Sequence, residues 1–101
     1  MAFDLVIRNG LVVDGTGRPA QRADVAIADG RIAEMGQVSG AAKASIDAAD
    51  CVVAPGFIDP HTHYDAQIDW DPLVTCSSWH GITSVVMGNC GVGIAPCRPE
   101  Q

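Results

Sequence analysis

Pro55-Gly56-Phe57-Ile58-Asp59-Pro60-His61-Thr62-His63 is the stretch that decides the fold. It reads as an apolar strand running into a His-x-His pair. In an extended chain, residues two apart point to the same face, so His61 and His63 are expected to aim two imidazoles at one point. Two neutral ring nitrogens converging at a strand end make half of a zinc site. A bare His-x-His pair carries little by itself, and its setting gives it weight. Upstream lie alternating strand-like segments and a Pro-Gly break; downstream, a second apolar strand ends in Gly88-Asn89-Cys90-Gly91.

Working upstream, Phe3, Leu5 and Ile7 alternate with Asp4, Val6 and Arg8, which suits a half-buried strand. Asn9-Gly10 reads as a hairpin turn and Leu11-Val12-Val13 as the returning strand. Asp14 to Pro19 has the composition of a loop. Ala23 to Ala28 reads as a strand, Asp29-Gly30 as a tight turn and Arg31 to Met35 as the partner. A polar, small-residue stretch from Ser39 to Ser45 precedes two short strands, Ile46 to Asp47 and Cys51 to Val53. Residues 1–54 are therefore expected to form a partial small β-sandwich domain or a piece of a barrel.

Downstream the character changes. Phe57 to His63 is one strand, and Ile82 to Met87, rich in β-branched residues, is another. Between them, Leu73 to His80 reads as a short helical crossover, with Pro72 fitting its first turn and Gly81 its end. Strand, helix, strand is the unit of a parallel sheet. The expected class is thus α/β with an all-β start. Residues 55–101 would be the opening strands of a truncated (β/α)8 barrel, a fold that takes about 250 residues when complete.

Barrels of that kind carry their chemistry at the carboxyl ends of the strands. His61 and His63 follow the first strand, and Asn89 and Cys90 the second. Adjacent parallel strands about 4.8 Å apart would bring these side chains together. Cys90 as a thiolate can bind metal, or it can pack as a small buried hydrophobe. Asp59 shares the His61 face and either orients an imidazole from behind or serves a turn. His80 is expected to cap the end of the crossover helix. Cys51, Cys76 and Cys97 read as packing cysteines, Trp70 and Trp79 as packing aromatics, and Tyr64 and Asp65 as candidates to line a pocket.

Composition narrows the partners. The 101 residues carry a net charge of −6 with no basic cluster, which excludes a phosphate-backbone surface and so nucleic acid. No basic leader opens the chain, and no apolar run approaches a membrane span. Four cysteines without the spacing of a disulfide scaffold suggest reduced thiols in a cytoplasmic protein.

Together these motifs resemble the amino-terminal part of a metal-dependent amidohydrolase, most closely the N-acyl-D-amino-acid deacylase (D-aminoacylase) group. Leu5 to Gly10, Val13 to Gly17 and Asp29 to Ala33 are similar to the first strands of that superfamily's small β-domain. Pro55 to His63 resembles its first barrel strand, and Gly81 to Gly91 the second barrel strand of the D-aminoacylase group in particular. The resemblance implies that His61 and His63 bind the more exposed of one or two zinc ions. It also implies that Cys90 takes the bridging place that many relatives give to a carboxylated lysine. The implied substrate is a small N-acyl-D-amino acid, hydrolysed to a carboxylate and a D-amino acid.

The remaining histidine ligands and the catalytic aspartate of the family have no counterpart after Cys90, so the chain alone is expected to be inactive. Its barrel strands, without neighbours, are expected to make it self-associate. Two other readings stay open. One is an amidohydrolase of cyclic amides, such as a hydantoinase or dihydropyrimidinase, against which Cys90 counts. The other is a standalone β-rich binding module.

Overall fold

Ten residues, Phe3–Val12, form one unbroken strand, β1, and every other strand of the first unit but one pairs with it. The structure is a computed structural model that describes residues 2–91, 93 and 98–100. Strand β2 (Gln21–Ala28) runs antiparallel to β1, and β3 (Arg31–Gly36) antiparallel to β2. Strands β4 (Ala42–Asp47) and β5 (Val52–Val53) share the other edge of β1 and run parallel to it. The sheet order is β3-β2-β1-β4, with β5 beside β4 along β1.

Asn9-Gly10 is therefore not the hairpin that the dipeptide suggests. Both Leu5–Ile7 and Gly10–Val12 pair with β2, so Leu11 to Val12 continues the strand instead of returning. Arg8 and Asn9 together oppose Asp24, which makes a bulge, and Asn9 takes the left-handed φ of +62° that such a bulge accommodates. The Asp24 carboxylate pins it, accepting the Asn9 N–H at 2.8 Å. Gly10 must lack a side chain, because an added Cβ would collide with Val53. At Asp29-Gly30 the same chemistry does make the tight turn between β2 and β3, with φ of +51° and +70°.

Val6 and Ala26 are fully buried opposite one another, and Val38 closes over them with Phe3 and Ala42. The reverse face of the sheet is open. Ile7, Val12, Ile27, Ile32, Met35 and Val53 border an apolar groove of about 490 Å³. Cys51 is exposed, contrary to a core role. It sits in the turn between β4 and β5, where its backbone carbonyl accepts the Leu11 N–H at 3.0 Å and its side chain has no face to join.

The second unit runs from Gly56 to Gln101. Strands β6 (Phe57–Asp59) and β7 (Ile82–Val85) pair in parallel, linked through helices α1 (Tyr64–Gln67) and α2 (Thr75–Trp79). The β6 strand stops at Asp59 because Pro60 has no N–H to continue a ladder. The crossover helix is shorter than Leu73 to His80, since Pro72 lies in a turn and Val74 takes a left-handed φ of +48°. Asp71 then starts α2 by accepting the Thr75 N–H at 3.1 Å. Trp70 and Trp79, expected to pack, are 70% and 77% exposed.

Candidate metal centre

His61 and His63 lie beyond β6 rather than within it. Their convergence therefore comes from a turn and not from strand alternation. Asp59 makes that turn: its Oδ1 accepts the His61 N–H at 3.0 Å, while its carbonyl accepts the last ladder bond, from Val86 N–H, at 2.9 Å. The Asp59 carboxylate thus holds the His61 backbone and not its imidazole. Both histidine side chains are exposed, and their rings stack with centroids 5.7 Å apart and planes 8° from parallel.

Cys90, half-buried in the loop after β7, completes the cluster. Ligand atoms of His61, His63 and Cys90 all lie within 4.8 Å of one another. Zn–N of about 2.0–2.1 Å and Zn–S of about 2.3 Å put tetrahedral ligands about 3.5 Å apart, so a closing movement on the order of 1 Å seats an ion. Two borderline nitrogens and one soft sulfur suit zinc, and exposure on one side leaves room for further ligands.

Three side chains tie the histidine segment to the cysteine segment. Thr62, 5% exposed, donates its hydroxyl to the Val86 carbonyl at 2.7 Å. Asn89 Nδ2 donates to the Pro60 carbonyl at 2.8 Å. Asp65, 7% exposed, accepts the Gly88 N–H at 3.1 Å. Gly91, at φ +88°, passes close beside His63: an added Cβ would lie 3.3 Å from Nδ1. Asn89 is flagged by its place after the second strand, and Asp65 by its place after the histidines, though as a pocket-lining candidate and not as a partner of the Gly88 N–H. Thr62 is not flagged: it bonds a backbone carbonyl, which no side-chain pattern announces.

The other candidates stand apart from the cluster. His80 ends α2 and is exposed. The exposed Cys76 lies 2.8 Å from the Tyr64 hydroxyl, which is also 2.6 Å from Ser77 Oγ. The Cys76 contact, foremost among several influences, raises the Tyr64 phenol above its ordinary pKa. Tyr64 is thereby a buried brace between α1 and α2, not a pocket wall. Cys97 lies outside the described residues.

Known proteins bear on this arrangement. The model of the amidohydrolase family matches residues 44–100. N-acyl-D-glutamate deacylase of Alcaligenes xylosoxydans xylosoxydans is 50% identical over 95 residues, a match covering 93% of this chain and 20% of that protein. D-aminoacylase of the same organism is 42% identical over 99 residues, with the same coverage of each. Among solved structures, N-acyl-D-glutamate deacylase from Bordetella bronchiseptica superposes with a TM-score of 0.87 at 44% identity. That match covers 95% of this chain and 20% of the other, which was crystallised with zinc and a phosphonate that mimics the tetrahedral intermediate. The chain spans about a fifth of the length of the relatives it matches.

Proposed function

The chain belongs to the amidohydrolase family, and on that premise we propose that it supplies part of the metal centre of a zinc-dependent hydrolase of linear amides, acting on N-acyl-D-amino acids. The observation that carries this reading is the meeting of His61, His63 and Cys90. Likeness to deacylases of N-acyl-D-glutamate and other N-acyl-D-amino acids supports the substrate class. The parallel β6–α1–α2–β7 unit supports the barrel whose first strands these would be.

In this reading the two imidazoles and the thiolate hold one or two zinc ions. Bound zinc supplies Lewis acidity, easing deprotonation of water near neutral pH and polarising the scissile carbonyl. The exposed side of the histidine pair faces the incoming amide. The nearby carboxylates are engaged: Asp59 with the His61 N–H, and Asp65 with the Gly88 N–H. Each spends a carboxylate oxygen on positioning backbone, and in this reading the base that takes the proton of attacking water and delivers it to the leaving amine lies outside the described residues. The 101 residues alone should therefore turn nothing over. Cys51, Cys76 and Cys90 are free thiols, which supports a cytoplasmic setting. Among the described residues no helix is long and apolar enough to cross a membrane.

The test uses the protein at its full encoded length. N-acetyl-D-glutamate, N-acetyl-D-methionine, their L enantiomers and a hydantoin are each assayed before and after chelation, then with zinc restored. Release of a D-amino acid that chelation abolishes and zinc restores is the expected result. Opening of the hydantoin alone would transfer the assignment to cyclic amides, and inertness toward every substrate would end it.

A further inference from the structure

The ladder between β6 and β7 ends at the bond from Val86 N–H to Asp59. All three donor residues lie beyond it, on two segments that no further backbone pairing joins among the described residues. We propose that Asp65, assisted by Thr62 and Asn89, is a positioning residue that anchors the Gly88–Gly91 loop and so presents the Cys90 thiolate to the metal.

The loop needs an anchor. Gly88 and Gly91 both take left-handed φ values, +77° and +88°, and glycines flanking Cys90 leave its backbone with many alternatives. Asp65 removes them at one point, through a carboxylate bonded to the Gly88 N–H. With Asp65 only 7% exposed, that bond meets little competition from water. Thr62 and Asn89 bond in the same gap, to Val86 and Pro60, and keep the segments from sliding. Asp65 is the second residue of α1, two residues after His63 at its N-cap, so a single short helix start carries a histidine ligand and reaches for the cysteine loop. Loss of Asp65 frees the cysteine side while the His61 backbone, held by Asp59, keeps its bond.

The inference rests on reading His61, His63 and Cys90 as metal ligands, and cobalt(II) separates the two claims. The full-length protein is stripped of metal and titrated with cobalt(II), following the near-ultraviolet thiolate-to-cobalt absorption. Cys90→Ser marks the spectrum without thiolate. Asp65→Ala is expected to bind cobalt roughly 10- to 100-fold more weakly, the usual consequence of losing a partner that orients a ligand, and to lose most of its thiolate band per bound ion.

Asp65→Asn keeps an oxygen acceptor for the Gly88 N–H and should retain the band, with affinity within a few-fold of wild type. Should Asp65→Ala fail to fold, Thr62→Val, of nearly the same shape, is expected to weaken the band in the same direction. Asp65→Ala with wild-type affinity and band overturns the anchoring role alone, as does Asp65→Asn as impaired as Asp65→Ala. When Asp65→Ala does not fold, an unchanged band in Thr62→Val overturns it instead. A wild-type protein whose cobalt spectrum is indifferent to Cys90→Ser overturns the ligand reading, and the inference with it.

Discussion

Met1–Pro55 and Gly56–Gln101 use their polar side chains for opposite ends. In the first unit Asp24 receives the Asn9 and Val38 amides and pairs with Arg8, and Asp4 receives the Asp29 amide and pairs with Lys43. Each of these fastens a strand or a turn. In the second unit Asp59, Thr62, Asp65 and Asn89 bond around His61, His63 and Cys90. Apolar burial divides the same way. Val6 and Ala26 are wholly inaccessible, whereas Phe57, Ile58, Leu73 and Trp79 are 63% to 78% exposed. The first unit is a sheet that closes one face of its own core. The second, among its described residues, is a candidate site with little core behind it.

The largest effects should follow from attacking the donors. In the full-length protein, His61→Ala and Cys90→Ala are expected to lose more activity than the roughly 10- to 100-fold that follows loss of an orienting partner, together with bound zinc. Cys76→Ala, whose sulfur touches only the Tyr64–Ser77 brace, should keep both. Elemental analysis beside a deacylase assay checks this. Full zinc and activity in Cys90→Ala would break the division between site and brace.

A smaller effect probes the cores. Val6→Ala removes two methyl-sized groups from a fully buried position and should cost about 2 kcal/mol, transfer and cavity together. Ile58→Ala, at 69% exposure, should cost less than about 0.5 kcal/mol. Both tryptophans lie in the second unit, so their fluorescence follows that unit while far-ultraviolet dichroism is weighted toward the sheet. Val6→Ala should shift the urea midpoint seen by dichroism and spare the one seen by fluorescence. The exposed apolar residues of β6 should also make the 101-residue chain associate, and Ile58→Asp should reduce this in light scattering. A monodisperse monomer with coincident transitions would erase the distinction between the units.

What the sequence made legible follows the range of the interactions. Asp29-Gly30 was readable as a turn because its strands adjoin it. Asn9-Gly10 has the same local chemistry, yet its flanks pair with residues beyond the 13–20 loop and with β4 and β5, and those distant partners decide it. The meeting of His61, His63 and Cys90 was readable by residue type and by position after two strands. Its geometry was not, because Pro60 ends β6 and replaces alternation by a turn. No pattern marks Thr62, and Asp65 is marked only as a pocket-lining candidate, not as an anchor. Their partners are backbone groups that become free only where the ladder stops.

The smallest effect is a pH dependence in the first unit. Bonds from the Asn9 amide first, then from Val38 and Arg8, hold the Asp24 carboxyl below its ordinary 3.8, and the Lys43 ammonium with the Asp29 amide does the same for Asp4. A carboxyl whose folded value is lowered favours the folded state fully above its unfolded value. That contribution disappears as pH falls through the folded one. The urea midpoint by dichroism should therefore be level near about pH 6 and decline as pH drops below the ordinary carboxylate range. Salt should weaken the exposed Asp4–Lys43 share and leave the amide bonds of Asp24 largely intact. Asp24→Asn keeps an acceptor for the Asn9 N–H but has no proton to gain, so its decline should be shallower. Parallel declines in wild type and Asp24→Asn would mean that the bulge is held by its backbone pairing alone, with the carboxylate charge contributing nothing to the sheet.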